Sequence, residues 1–185
     1  MIEIIEHRKE WPSEYVQIAS ALREQLGGID HTLHHIGSTA VPGLAAKDII
    51  DIQLSVSDLD EWSASGIELE GFQHIPNLSD HCPPGMTLDA QELDKRFYKT
   101  VARPTHLHVR EMGRFNQRYA LLCRDFLREH RAAALAYADI KRALAERFPD
   151  DQASYYAVKD PTFDLIMVAA EAWAASTGWQ IPPED

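Results

Sequence analysis

Between residues 47 and 58 the chain reads KDIIDIQLSVSD, and from Ile50 to Ser57 its apolar and polar positions alternate one by one. Ile50, Ile52, Leu54 and Val56 fall on one side of an extended chain, and Asp51, Gln53, Ser55 and Ser57 on the other. That period is a strand with one core-facing and one polar side. Ahead of it, PSEYVQIASALREQLGG spaces Tyr15, Ile18, Ala19, Leu22 and Leu26 for a helix that starts at Pro12-Ser13 and stops at Gly27-Gly28. HTLHHIG predicts a short strand ending at Gly37. DLDEWSASGIELEGFQHI predicts a short helix and then a strand entered near Gly71, and SDHCPPGMTLDAQELD a loop. RFYKTVA and THLHVREM read as a hairpin turning at Arg103-Pro104.

From Gly113 the period becomes helical. Phe115, Tyr119, Leu122 and Phe126 form one stripe, and AAALAYADIKRALAERF carries the helical pattern on to Pro149. A last helix is expected from about Ser154 to Trp173, interrupted at Pro161. The expected architecture is α/β (α+β): a small mixed sheet, flanking helices and a helical C-terminal half.

Composition adds limits. One domain over 1–185 fits this length. Two cysteines, Cys82 and Cys123, make neither a disulfide framework nor a CxxC pair, as expected in a reducing compartment. MIEIIEHRKEW lacks the apolar core of a signal peptide, and no apolar run approaches the roughly 20 residues that cross a bilayer. The expected location is the cytoplasm, away from the membrane. A net charge of −11 argues against broad nucleic-acid binding. The charge is uneven, however. Residues 95 to 147 hold 13 of the 18 Lys and Arg but 5 of the 29 Asp and Glu, so this segment is about +8 and the remainder about −19. An arginine-rich face is ordinarily just solvated, yet such a segment in an acidic protein favours a small anionic ligand.

Candidate chemistry begins at GSTAVPGL. A Gly-Ser pair leaving a strand exposes backbone N–H groups to a phosphate, and Ser38 and Thr39 add hydroxyls. Asp51 on the following strand stands where Mg²⁺ would bridge protein and triphosphate, unless it pairs with Lys47. His106 and His108, with His35 and Asp51, suit a transition metal, a general base or a phosphate contact; alternate histidines on a half-buried strand also commonly hydrogen-bond nearby loops. Arg124 and Arg128 share a helix face, as do Tyr137 and Lys141, although Asp125 is spaced to pair with Arg128. Lys47, Lys99 and Lys159 would complete an anion pocket. Neither GxGxxG nor GxxxxGK[ST] occurs.

HIGSTAVPGLAAKDIIDI (35–52), THLHV (105–109), CRDFLREHRAAALAYADIKRALA (123–145) and YYAVKDPTF (155–163) resemble the GrpB family, placed in the nucleotidyltransferase superfamily. The resemblance implies a nucleotidyltransferase-like fold. It places Gly37 and Ser38 at the phosphate-binding Gly-Ser and Asp51 at the first metal carboxylate. Gln53 then stands where a second carboxylate is usual, and the strand expected to supply a third acid offers His106 and His108, with Glu111 beyond. A metal set of Asp51, Gln53 and His108 follows, with Asp51, His106 and His108 as catalytic candidates. The implied function is Mg²⁺-assisted nucleotidyl transfer from an NTP to a small acceptor. The alternatives are a non-catalytic module binding a nucleotide or phosphometabolite, and a His/Asp metal-dependent hydrolase.

Overall fold

The computed structural model describes residues 1–185. Helix α1 (Trp11–Leu26) buries Trp11, Tyr15, Ala19, Leu22 and Leu26 and ends at Gly27, whose φ of +57° suits glycine. Five strands follow: β1 (His31–Ile36), β2 (Ile50–Val56), β3 (Gln73–Ile75), β4 (Arg96–Thr100) and β5 (Thr105–Glu111). They form one sheet in the order β1-β2-β5-β4-β3. The central pair β2–β5 is parallel and the other pairs are antiparallel.

The alternation in β2 sorts the sheet into two faces. Leu33, Ile50, Ile52, Leu54, Val56, Leu107 and Val109 pack on α1 and on the short helix α2 (Leu59–Ala64), whose Asp58 cap accepts from the backbone N–H groups of Asp60 and Glu61. The opposite face carries Asp51, Gln53 and Ser55 in register with His106, His108 and Arg110. A buried polar row must find partners. Its far end does: the Gln53 amide donates to the Gln117 carbonyl at 3.1 Å, and Arg110 donates to Gln53 Oε1 at 2.6 Å and to Asp80 Oδ2 at 2.8 Å. Its near end, at Asp51 and His106, opens into a cleft.

Helices α3 (Phe115–Glu129), α4 (Arg131–Arg147) and α5 (Gln152–Thr177) cover that face around a second core that includes Leu122, Phe126, Tyr137, Ala138 and Met167. Two boundaries differ from expectation. The helical tract from Gly113 breaks at His130, which leaves helical geometry (φ −111°, ψ 75°) and stacks on Phe126 at 4.1 Å. Helix α5 instead passes through Pro161 without interruption. Ala157, whose carbonyl loses its helical partner there, is exposed and can be hydrated. Both cysteines are free thiols. No helix is long and apolar enough to cross a membrane.

The basic excess of residues 95–147 is largely absorbed by acids from outside the segment. Arg103 pairs with Glu14 and Asp48, Lys95 and Arg110 with Asp80, Arg114 with Glu92, Arg118 with Glu171, Arg124 with Asp185 and Arg142 with Glu6. The charge asymmetry is a seam joining two parts of the chain. It is not a broad anion-binding face.

Candidate functional site

The chain leaves β1 at Gly37 with φ +70° and enters a single 3-10 turn, Ser38–Ala40. No side chain caps this turn, so its leading N–H groups remain available. A Cβ on Gly37 would stand 2.5 Å from Asp51 Oδ2, so glycine is required both by the backbone angle and by the close approach of the carboxylate. Gly37→Ala is therefore expected to lose about 1–3 kcal/mol of stability. Urea denaturation checks this, and an unchanged midpoint would show that the loop has room to move.

Asp51 Oδ1 stands 3.2 Å from His106 Nδ1 and 3.8 Å from His108 Nε2. Burial by itself raises the Asp51 carboxyl, but the adjacent His106 and His108 imidazoles, His106 at hydrogen-bonding distance, outweigh it and hold the group well below the usual carboxylate range. Burial pushes the His108 imidazole down to about 4 against the pull of Asp51, so this ring is neutral at pH 7. Asp51 does not pair with Lys47, which donates to the Tyr156 hydroxyl and sits 4.7 Å above that ring.

Two chambers meet at Ser38, Asp51, His108 and Lys159. One, of about 200 Å³, is cationic: Lys47 from the loop before β2, Lys141 from α4 and Lys159 from α5 line it with Tyr155 and Tyr156. Lys141 Nζ donates to Ser38 Oγ at 2.8 Å and to the Ala45 carbonyl at 2.6 Å. Burial pushes this ammonium down to about 7, helped by the positive charges of Lys159, Arg142 and Lys47. The other chamber, of about 240 Å³, has aromatic walls from Phe115, Tyr119, Tyr137 and Phe163. Polar groups there include Asp80, His81 and Asn116, and Asn116 Oδ1 is buried without a donor.

Several sequence candidates are committed to the framework or lie elsewhere. Thr39 lines the cationic chamber, but its hydroxyl donates to the Ile49 carbonyl at 3.1 Å and meets His35 Nε2 at 3.0 Å, so that hydroxyl is used in shaping the loop. His35 faces the α1 core and stacks on Tyr15 at 4.8 Å, outside the cluster that Asp51 forms with His106 and His108. Arg124 is buried and bonds the His35 carbonyl (3.0 Å), Asp125 (2.7 Å) and Asp185 (2.6 Å). Arg128 donates to the Ala40 carbonyl at 3.0 Å and pairs with Asp125 at 3.5 Å. Both arginines brace the framework. Lys99, opposite His106 on β4, is exposed and lines neither chamber. Glu111 holds Arg114 and the Leu59 N–H.

Gln53 also requires correction, because its amide oxygen is taken by Arg110 and its amide nitrogen by Gln117. The donor set at Asp51 is therefore one carboxylate and two imidazoles. That set does not fit the oxygen-rich Mg²⁺ site implied by the resemblance.

Sequence reasoning missed Asp80, Asn116, Tyr155 and Tyr156 as lining residues. It also missed a pair at the rim of the aromatic chamber, where His81 Nε2 and the Tyr119 hydroxyl both reach Asp164 Oδ1 at 2.8 Å. The paired aromatics of YYAVKDPTF were the available signal for the two tyrosines; the irregular 79–94 loop gave none for Asp80, and Asn116 stands in the first turn of α3 with no motif to mark it.

Comparison with known proteins places the chain in a family. The GrpB protein profile matches residues 1–168. The chain belongs to the GrpB family. A crystal structure of the conserved protein GrpB from Enterococcus faecalis superposes with a TM-score of 0.72 at 26% identity, covering 92% of this chain and 99% of that one. A UPF0157 protein of Streptomyces coelicolor is 32% identical over 94% of this chain and 86% of its own length. A protein of Mycolicibacterium paratuberculosis named dephospho-CoA kinase is 32% identical over 97% of this chain but only 48% of its own. The GrpB-like chain thus spans about half the length of several curated relatives it matches.

Proposed function

We propose that this GrpB-family protein binds a nucleotide across the cleft and transfers its nucleotidyl group to a small acceptor. The observation that carries the reading is the meeting of a lysine-lined chamber and an aromatic chamber at Ser38, Asp51, His108 and Lys159. Lys47, Lys141 and Lys159 would take the terminal phosphates, with the Ser38 loop beside the reacting phosphorus and the nucleoside toward Phe115, Tyr119, Tyr137 and Phe163. In such transfers, positioning and charge neutralisation supply most of the catalysis, and these residues provide both. The dephospho-CoA kinase name carried by mycobacterial relatives belongs to the same broad class of nucleotide-related chemistry.

One observation favours a second reading, in which the cleft binds a nucleotide or phosphometabolite without transferring anything. The position of the second carboxylate is occupied by Gln53, locked onto Arg110. Isothermal titration with ATP, GTP, CTP and UTP, each with divalent cation and again with EDTA, separates the two. Heat with at least one triphosphate, lost in Lys47→Ala, is the expected result. Binding that survives EDTA unchanged supports the non-catalytic module, and no heat with any of the four removes the nucleotide reading.

A further inference from the structure

Asp51, His106 and His108 form the only cluster of three potential metal ligands in the chain, with donor atoms all within 4.8 Å of one another. We propose that these residues hold one divalent transition-metal ion of the Mn²⁺, Fe²⁺, Co²⁺ or Zn²⁺ kind, in preference to Mg²⁺. The inference concerns the same cleft as the nucleotide reading, but it rests on the donor set alone and is tested without nucleotide.

Three observations carry it. The first is chemical. Mg²⁺ favours six oxygen donors in near-ideal octahedral geometry, whereas imidazole nitrogen with carboxylate suits the later first-row metals. The one side chain that would add an oxygen on this face, Gln53, is held by Arg110 at 2.6 Å.

The second is geometric. Ligand atoms about 2.1 Å from a metal lie roughly 3.0–3.4 Å apart at adjacent coordination positions. The Asp51–His106 separation of 3.2 Å falls within that range, and the Asp51–His108 separation of 3.8 Å would need only a small contraction. Asp51 lies directly across the parallel β2–β5 pair from His106, and His108 is two residues further on the same face of β5. The strands thus fix all three ligands. Phe97 on β4 packs against both rings, at 5.2 Å from His106 and 4.8 Å from His108, restricting their swing.

The third is an unmet bonding requirement. His108 Nε2 faces Asp51 beyond hydrogen-bonding range, and its Nδ1 is buried without a partner. Leaving Nδ1 buried without a partner is costly, and the ring bears that cost while turning Nε2 toward the Asp51 carboxylate. An ion between Nε2 and the Asp51 carboxylate would account for the orientation. Three protein ligands would also leave positions open toward both chambers, which Asp51 and His108 line, as at metal sites that bind substrate.

The test uses the full chain, stripped with EDTA and titrated with Co²⁺, whose visible absorption reports nitrogen and oxygen ligation, then with Zn²⁺, Mn²⁺ and Mg²⁺ in competition. One Co²⁺ per chain is expected, displaced by Zn²⁺ but not by a hundredfold excess of Mg²⁺. His106→Ala, His108→Ala and His108→Gln should each weaken binding at least tenfold, with circular dichroism and thermal midpoints confirming that the compared variants remain folded. His108→Gln keeps the test informative if His108→Ala fails to fold. Absence of the cobalt spectrum, ready displacement by Mg²⁺, or wild-type affinity in the folded histidine variants would each overturn the proposal. A metal that binds when no nucleotide does would leave this site standing and remove only the nucleotide reading.

Discussion

Arg110→Met is expected to lose about 3–5 kcal/mol of folding stability, lowering the melting temperature on the order of 10 °C in a chain of this size. Arg110 is only 6% exposed and donates both to Gln53 and to Asp80. Methionine would fill much of the volume but leave Gln53 Oε1 without its donor and Asp80 without its principal charge partner. A buried carboxylate stripped of its cation accounts for most of such penalties. Lys95 remains paired with Asp80, which keeps the expected loss toward the lower end. Adding Asp80→Asn should recover part of it, because the stranded charge is removed with its partner. Urea melts of the single and double variants decide the matter. A loss under 1 kcal/mol for Arg110→Met would mean that the polar row is not the structural tie described above.

Lys141→Met should have the opposite signature: nucleotide affinity falls roughly 10- to 100-fold while stability does not fall. A charged hydrogen bond to phosphate is worth about 1.5–3 kcal/mol, and Lys141 is the buried donor beside Ser38. In the free protein its ammonium, pushed down to about 7, is a cost to the fold. The sign follows from proton counting. Between about pH 7 and the ordinary lysine value of 10.5, the unfolded chain binds the proton and the folded chain has lost it. Wild-type stability should therefore rise with pH across that window relative to Lys141→Met. Anion binding acts in reverse by drawing the proton back onto Lys141. Calorimetry in buffers of different protonation enthalpy should detect proton uptake that grows as pH rises from 7, with weakening affinity. Uptake that persists in Lys141→Met would assign the proton to another group.

Much of the framework was legible because its signals are local. The single alternation in β2 placed Asp51 on the polar side and the isoleucines in the core, and the Arg103-Pro104 hairpin put His106 and His108 on one face. Gly37, Ser38, Lys47, Lys141 and Lys159 converge with them in the structure. The misread residues depend on partners that periodicity does not reveal. Arg124 and Arg128 share a helix face as expected, but that face meets Asp185 and the Ala40 carbonyl, both distant in sequence. Gln53 occupies the expected side of its strand, yet Arg110, 57 residues away, decides where its amide points. The Pro161 break failed to appear because the helix can leave the affected carbonyl to water at exposed Ala157.

The parallel pairing of β2 with β5 has a consequence for how the chain reaches this state. Its two strands are separated by more than forty residues of helix, loop and antiparallel strand, so their docking must close a long loop before it gains any contact. A slip of one residue in that docking would turn His106 and His108 into the apolar core and Leu107 out toward the cleft. Such misaligned chains would lack both a sound interior and any trace of the ligand cluster. Occupancy of the cleft could therefore serve as a refolding readout that distinguishes correct strand alignment from mere collapse.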